Sequence, residues 1–328
     1  IALDAASRGL SVALLERHDF AAGTSSRSSK LIHGGVRYLQ AAITRLDRAQ
    51  WRLVREALSE RATLLKIAPH LVQPLRTLIP VCNWFELCKH RIGLWLYDRA
   101  AGKAMITPSG FLPLAEPLTA MPRLANSGLK GAVAYYDAQF DDARMVITLL
   151  LTAAQEGAVI ANHVEVTRLL ETNGHISGVQ AINRLNDEPL HIQASAVFNA
   201  TGPHADHLRQ MENPQAKPLV TSSRGSNIVL DRSWAPAGEA LLLPHTTDGR
   251  VLFVLPWQQH TLVGTTDVPA TLQEDPQAEE AEIDYLLEHL QALYDPPPTR
   301  NDILASWAGL RPLIHSSSSN TAQIVREQ

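Results

Sequence analysis

The stretch I-A-L-D-A-A-S-R-G-L-S-V-A-L-L-E, Ile1 to Glu16, decides the fold class. Ile1 to Leu10 is rich in alanine, the residue that costs a helix least, and Gly9 is placed to end that helix. Ser11 to Leu15 is a short apolar run, the pattern of a buried parallel strand. Helix, glycine, strand and a terminal acid make up the second half of a dinucleotide-binding βαβ unit, in which the acid hydrogen-bonds a ribose. Glu16 taken alone reads equally as a solvated loop carboxylate. Ile1 falls inside a helix already under way, so the Gly-rich turn of the unit is expected upstream of it.

Beyond this half-unit lies T-S-S-R-S-S-K-L-I-H-G-G-V-R-Y-L, Thr24 to Leu39. Short hydroxyl side chains and two adjacent glycines let a chain close on phosphates or a flat ring. Lys30, His33, Arg37 and Tyr38 add polar groups suited to a small anionic ligand. Composition alone would also fit a polar surface loop.

The periodicities further along predict a long helix over Arg45 to Ile67, stopped by Pro69, and a basic, aromatic-flanked helix over Phe85 to Tyr97. The second helix either packs on the body or lies on an anionic membrane surface. Gly131 to Tyr136 reads as a strand, and Asp141 and Asp142 open a helix through Ala154, where the dipole favours acids. Strands follow at Ala158 to Ile160, Val164 to Leu170, Ile176 to Ile182 and His191 to Ala194, with a turn at Asn173 and Gly174. A buried strand is expected at Ala196 to Ala200, running into Thr201 and Gly202. The last third is mostly strands: Asn227 to Leu230, Val251 to Leu255, Thr261 to Gly264 and Asp302 to Trp307. A helix at Ala278 to Leu293 interrupts them, and Ser316 to Ser319 reads as a loop.

The 328 residues allow two domains or one large one, and 45% hydrophobic with 19% charged residues is an ordinary globular composition. A net charge of −4 argues against a nucleic-acid binder that neutralises phosphates. Cys82 and Cys88 have no metal-ligand spacing with the histidines and read as free thiols, so no metal is expected. No apolar run approaches a membrane span, and there is no signal-peptide pattern.

Six pieces in order make the chain recognisable: R-G-L-S-V-A-L-L-E (Arg8 to Glu16), T-S-S-R-S-S-K-L-I-H-G-G-V-R-Y-L, D-D-A-R (Asp141 to Arg144), N-A-T-G-P (Asn199 to Pro203), G-T-T-D-V (Gly264 to Val268) and G-L-R-P-L (Gly309 to Leu313). With them the chain resembles the FAD-dependent, aerobic-type glycerol-3-phosphate dehydrogenases within the amino-acid-oxidase-like flavoproteins. The S-S-K-L-I-H-G-G-x-R-Y-L block is the specific one.

The resemblance implies an α/β architecture: a Rossmann-like FAD-binding domain and a second, mixed-sheet substrate domain. The expected segments are 1–70 and 136–205 for the FAD domain, 71–135 as a cap, 206–305 for the substrate domain, and 306–328 returning toward the FAD domain. The implied reaction takes sn-glycerol 3-phosphate to dihydroxyacetone phosphate, with hydride to FAD and electrons to a membrane quinone. The implied location is cytoplasmic, peripheral to the inner face of the cytoplasmic membrane, and a homodimer is compatible with it. By the same resemblance Glu16, Val164, Ala200, Thr201 and Gly202 would meet the adenosine half of FAD. Thr24, Ser25, Ser26, Ser29 and Lys30 would lie along its middle, and Leu31, His33 and Gly34 beside the flavin. Arg37, Tyr38, Asn227, Thr265 and Arg311 would surround the substrate. His33 is either the base or a residue that orients the flavin. Asn227 stands where the family commonly has histidine, and His204 where it usually has tryptophan. The Gly-rich turn and the later glycine-and-lysine segment are absent from the chain, which alone is expected to bind FAD poorly and to be inactive. A related oxidase acting on amines, amino acids or oxygen, and a non-catalytic relative, are the competing readings.

Overall fold

The computed structural model describes residues 1–35, 47–120, 123–125, 128–235, 238–244, 246 and 249–314. Arg37, Tyr38 and the Ser316 to Ser319 run lie outside the described residues. The chain opens with α1 (Ala2–Ser7), turns at Gly9, and enters β1 (Ala13–Leu15) and then the two-residue β2 (Leu31–Ile32). Helix α2 (Arg48–Ile67) starts at Asp47, whose carboxylate accepts the backbone N–H groups of Ala49 and Gln50, and ends before Pro69. After β3 (Val72–Val81) comes α3 (Trp84–Ala101), capped in the same way by Asn83. Then follow β4 (Gly110–Pro113), α4 (Ala115–Ala120), β5 (Gly131–Phe140), α5 (Asp142–Gln155) behind its cap Asp141, and β6 (Val159–Ala161). A meander of β7 (Val164–Thr172), β8 (His175–Asn183) and β9 (Glu188–Gln193) precedes α6 (Ala205–Glu212). The final part holds β10 (Val220–Asp231), β11 (Glu239–Leu243), β12 (Leu252–Trp257), β13 (His260–Gly264), β14 (Val268–Pro269), α7 (Glu280–Gln291) and β15 (Ile303–Ile314).

Three sheets result. β1 and β6 pair in parallel, and β1, expected to be buried, is exposed at Ala13 and half-buried at Leu14 and Leu15. β7, β8 and β9 form an antiparallel sheet, with Asn173 and Gly174 at φ 54° and 77° in the tight turn between the first two. The third sheet has ten strands in the order β14-β10-β13-β12-β11-β3-β5-β2, with β15 alongside β10 and β4 alongside β5. Its pairings are antiparallel apart from β11 with β3, so it is mixed.

Three expectations change, and one strand, β3, is unanticipated. Ala196 to Ala200 forms no strand, because no ladder partner lies beside it among the described residues, and Phe198 is 72% exposed. β3 was hidden in the sequence by Pro74 and Pro80. Both prolines face β5, at Ala138 and Ala132, and lie outside the Arg76–Leu78 section that β11 pairs, so no second ladder asks for their missing N–H. Asp302 to Trp307 and Gly309 to Leu313 are one strand, β15, which follows β10 almost from end to end. The expected seam between residues 135 and 136 falls inside β5.

The main core lies between the ten-stranded sheet and α7, with Leu78, Ile228, Leu230, Leu252, Val254, Leu286 and Leu290 at its centre. On the β3–β5 side, α2 and α3 pack Val54, Leu58, Leu87 and Leu94 against Ile79, Val133 and Tyr135. Inside this second cluster sits a buried ion pair, Arg61 Nη1 to Asp137 Oδ1 at 2.6 Å, with side chains 1% and 2% exposed. Tyr97 donates to the same oxygen at 2.7 Å. Burial, and then the charge of Asp137, push the Tyr97 phenol well above its ordinary pKa, so it stays a donor. Removing one partner of such a pair leaves an unpaired charge in a low-dielectric interior, which costs about 3–5 kcal/mol. Asp137→Ala should therefore lower the unfolding free energy by about that amount. Urea denaturation followed by circular dichroism measures it, and a loss below about 1 kcal/mol would show the pair to be solvated.

Candidate active site

The C-terminal end of β1 is the first element of the site. The Glu16 N–H donates to the Ala161 carbonyl and its own carbonyl accepts from Val164 N, so the acid and Val164 are held together at the end of β1, where β6 leads into β7. The Glu16 carboxylate is half-buried and accepts the His18 N–H at 2.9 Å. Arg17 reaches His204 Nε2 at 3.0 Å, which brings the Ala200–Gly202 bend to the same end. Gly202 has φ 56° and its neighbours Ala200 and Thr201 are exposed, so bare backbone faces outward there. Burial, and then the Arg17 charge, lower the His204 pKa, which keeps that imidazole neutral at pH 7.

The segment Thr24–Gly35 then crosses to the large sheet. Thr24 Oγ1 donates to the Leu310 carbonyl at 2.7 Å, and Arg27 reaches the Ala308 and Pro276 carbonyls and the Asp275 carboxylate. Ser25 is exposed in the turn Thr24–Ser26. Asp142, the first residue of α5, gathers the middle of the segment: it accepts Ser28 Oγ at 2.7 Å and the Lys30 ammonium at 2.6 Å, with both charges buried. Lys30 also donates to the Ser26 carbonyl and lies 5.3 and 5.7 Å from the ring centres of Trp257 and Trp307. Leu31 and Ile32 pair with Gln139 and Ala138 of β5. His33 is exposed, and its Nδ1 accepts the Gly35 N–H at 3.1 Å. Gly34 donates its N–H to Asp137 at 3.1 Å, and a Cβ there would overlap Leu58 and Tyr97.

The substrate-side residues share one face of β10 and β15. Asn227 is 1% exposed, and Ser29 Oγ donates to its Oδ1 at 3.1 Å. Asn227 Nδ2 and Trp307 Nε1, across the β10–β15 ladder from each other, are buried donors without a partner among the described residues. Beside them is an open cavity of about 300 Å³ lined by Ser26, Lys30, Val229, Trp257, Gln258, His260 and Trp307. Arg311 starts on β15 opposite Ser223 and donates to Thr265 Oγ1, the Thr266 carbonyl and the Asp267 carboxylate.

Three glycines make this face passable. A Cβ on Gly225 would overlap the Arg311 guanidinium, one on Gly264 would overlap the Asn227 amide, and one on Gly309 would come within 2.9 Å of Arg27. Behind the face, Glu282 of α7 accepts Thr266 Oγ1 at 2.7 Å and Arg224 Nε at 2.8 Å. Burial works against the Arg224 charge, but Glu279 and Glu282 outweigh it and hold that guanidinium above its ordinary value.

The described residues from the expected set thus fall into two groups, Glu16 with Val164 and Ala200–Gly202, and Thr24–Gly34 with Asn227, Thr265 and Arg311. Sequence reasoning did not single out Arg61, Asp137, Asp142 as a partner, Asp267 or Gly225. A signal existed for Arg61, which continues the helical spacing of the buried Val54 and Leu58 and so puts a charge on an apolar stripe. Among the described residues no cluster of histidine, cysteine and acid side chains could hold a metal ion.

Comparison with known proteins gives matches along the whole chain. A family model described as FAD dependent oxidoreductase, DAO, matches residues 1–327. The mitochondrial glycerol-3-phosphate dehydrogenase of Rattus norvegicus is 44% identical over 99% of this chain and 46% of its own length. The chain therefore spans about half the length of such curated relatives. A glycerol-3-phosphate dehydrogenase from Bacillus halodurans, solved in complex with FAD, superposes with a TM-score of 0.76 at 32% identity, over 96% of this chain and 54% of that one. An L-alpha-glycerophosphate oxidase from Mycoplasma pneumoniae with FAD bound has a TM-score of 0.71 at 19% identity, over 96% and 80% of the two chains, and shows the shared fold.

Proposed function

The chain belongs to the DAO family of FAD dependent oxidoreductases, and from that premise we propose that the full protein oxidises sn-glycerol 3-phosphate to dihydroxyacetone phosphate and delivers the electrons to a membrane quinone. The observation that carries this reading is Arg311, a guanidinium laid across the sheet face beside Asn227 and the Ser29 hydroxyl. Its planar fork matches a phosphate and stays charged at any working pH. Arg37 and Tyr38 would complete the pocket.

The residues present fit FAD on two counts. Asn227 Nδ2 and Trp307 Nε1 are buried donors that call for an acceptor. The acid at the end of β1 beside an exposed glycine bend suits a ribose and a close backbone approach. FAD, when bound, supplies the acceptor for the hydride that leaves C2. Glu16, Val164 and Ala200–Gly202 would hold its adenosine half, Thr24, Ser25, Ser26, Ser29 and Lys30 its middle, and Leu31, His33 and Gly34 its ring. The Lys30 charge is already balanced by Asp142, so its contribution there is to fix the shape of the segment.

Among these residues the C2 hydroxyl proton has one candidate acceptor, His33. Taking that proton requires Nδ1 to release the Gly35 N–H. With that bond kept, Nε2 carries the hydrogen and His33 acts as a donor that orients the ring or the substrate. Asn227, a histidine in the resembling family, can orient by hydrogen bonding but cannot take the proton.

A peripheral membrane site on the cytoplasmic side is part of the proposal, and α3 supports it. No described helix is long and apolar enough to cross a membrane. The core-facing side of α3 carries Leu87, Leu94 and Tyr97. Its opposite side leaves Trp84, Phe85, Ile92 and Trp95 exposed, with Lys89, Arg91 and Arg99 among them. Aromatic rings with interleaved cations suit the headgroup region of an anionic bilayer.

Three measurements test these assignments in the full protein. Arg311→Ala should raise the KM for glycerol 3-phosphate by about tenfold to a hundredfold, the cost of one charge-assisted pair, with bound flavin unchanged. An unchanged KM removes the phosphate role. His33→Gln should cut kcat by about a hundredfold or more if His33 is the base, and a near wild-type rate leaves it the orienting role. Co-sedimentation with phosphatidylserine vesicles should fall at least several-fold in Trp84→Ser/Trp95→Ser, and equal binding would move the membrane surface elsewhere.

A further inference from the structure

Arg311 belongs to β15, yet its partners lie beyond β10, on the chain that follows β13. β10 carries β15 along one edge, with Ser223 opposite Arg311 and Gly225 opposite Gly309. On its other edge it carries β14, and the Ser226 and Ser222 carbonyls accept the N–H groups of Thr266 and Ala270. To reach Thr265, Thr266 and Asp267 the Arg311 side chain passes over the backbone of β10 at Gly225, the position where a Cβ would overlap its guanidinium. Three acceptors of different kinds meet it on the far side: the Thr265 hydroxyl at 3.1 Å, the Thr266 carbonyl at 3.1 Å and the Asp267 carboxylate at 3.4 Å. Asp267 is itself 5% exposed and receives the hydroxyl of the fully buried Ser223, while Thr266 is pinned from behind by Glu282.

An arginine that only lined a surface would not need this. A free side chain of its length loses rotamer entropy on being fixed, and a prior clamp removes that cost from the binding step. We propose that Asp267 is a positioning residue for anion recognition: with Thr265 and Thr266 it forms a preformed guanidinium cradle that holds Nη1 and Nη2, draws Arg311 across Gly225 and fixes the guanidinium beside the ligand. The carboxylate works through Arg311 and does not touch the ligand. The placement also accounts for two separate motifs at once, because G-T-T-D-V supplies the cradle and G-L-R-P-L the cation, with Gly225 as the bare crossing point between them.

The kinetic test of this inference rests on Arg311 binding the substrate phosphate; the labelling test does not. In the full flavin-loaded protein, Asp267→Asn should raise the KM for glycerol 3-phosphate at least fivefold with kcat and flavin content within about twofold of wild type. Thr265→Val should do the same to a smaller degree. In Arg311→Ala, added guanidinium should restore part of the activity, and it should fail to do so in Arg311→Ala/Asp267→Ala. Separately, the rate at which phenylglyoxal labels Arg311, read by peptide mass spectrometry without substrate, should rise several-fold in Asp267→Asn and in Thr265→Val. Unchanged labelling in both variants overturns the cradle whatever the substrate is. If labelling rises but no KM changes even in Arg311→Ala, the cradle stands and the phosphate reading falls.

Discussion

The Lys30–Asp142 ion pair is the contact on which the rest of the arrangement depends. Asp142 opens α5, and so belongs to the layer formed with β1 and β6, while Lys30 belongs to the segment that runs out onto the large sheet. One carboxylate thus takes the Ser28 hydroxyl and the Lys30 ammonium and receives its own helix's Ala143 N–H. Breaking a buried pair by deleting one partner costs several kcal/mol, so the segment has no cheap alternative path. Its fixed course sets Ser29 against Asn227 and Thr24 against Leu310, and starts the two-residue ladder that puts His33 at the edge of the site.

Much of this was legible in the residues. Asp141 and Asp142 announced the start of α5 because a helix N-terminus favours acids, and Asn173-Gly174 announced its turn because both must take positive φ. Short apolar runs such as Val251 to Leu255 exposed the strands of the last third. What stayed hidden was non-local. β3 was masked by two prolines whose tolerance depends on where β11 happens to pair. Phe198 and its neighbours have strand-forming side chains, but a strand needs a ladder, and the described residues supply none beside it. The site residues were found through motif order, not through contact. Nothing in Glu56–Lys66 alone says that Arg61 meets Asp137, and nothing in G-T-T-D-V says that its aspartate faces an arginine from another strand.

The sheet face also shows why glycines recur at separated places on strands that propensity would rather fill with branched residues. At Gly225, Gly264 and Gly309 the volume of the missing side chain is taken by Arg311, Asn227 and Arg27. Each glycine weakens its strand slightly, by roughly 0.5–1 kcal/mol relative to alanine, and in return a polar group lies flat on the backbone of a well-packed sheet. The apolar support comes from the other face, where α7 seals the core, so the two sides of the same strands are divided between an apolar core and a polar surface.

That division has a consequence in the pairing of β10 with β15. The two strands are separated along the chain by β11 to β14 and α7, and closing such a loop costs entropy before any contact energy is gained. Arg311 reaches its place only when that ladder closes. Any state in which β15 has not closed onto β10 lacks Arg311 at the Gly225 crossing. A ligand held by Arg311 would therefore stabilise only those states in which this ladder is closed.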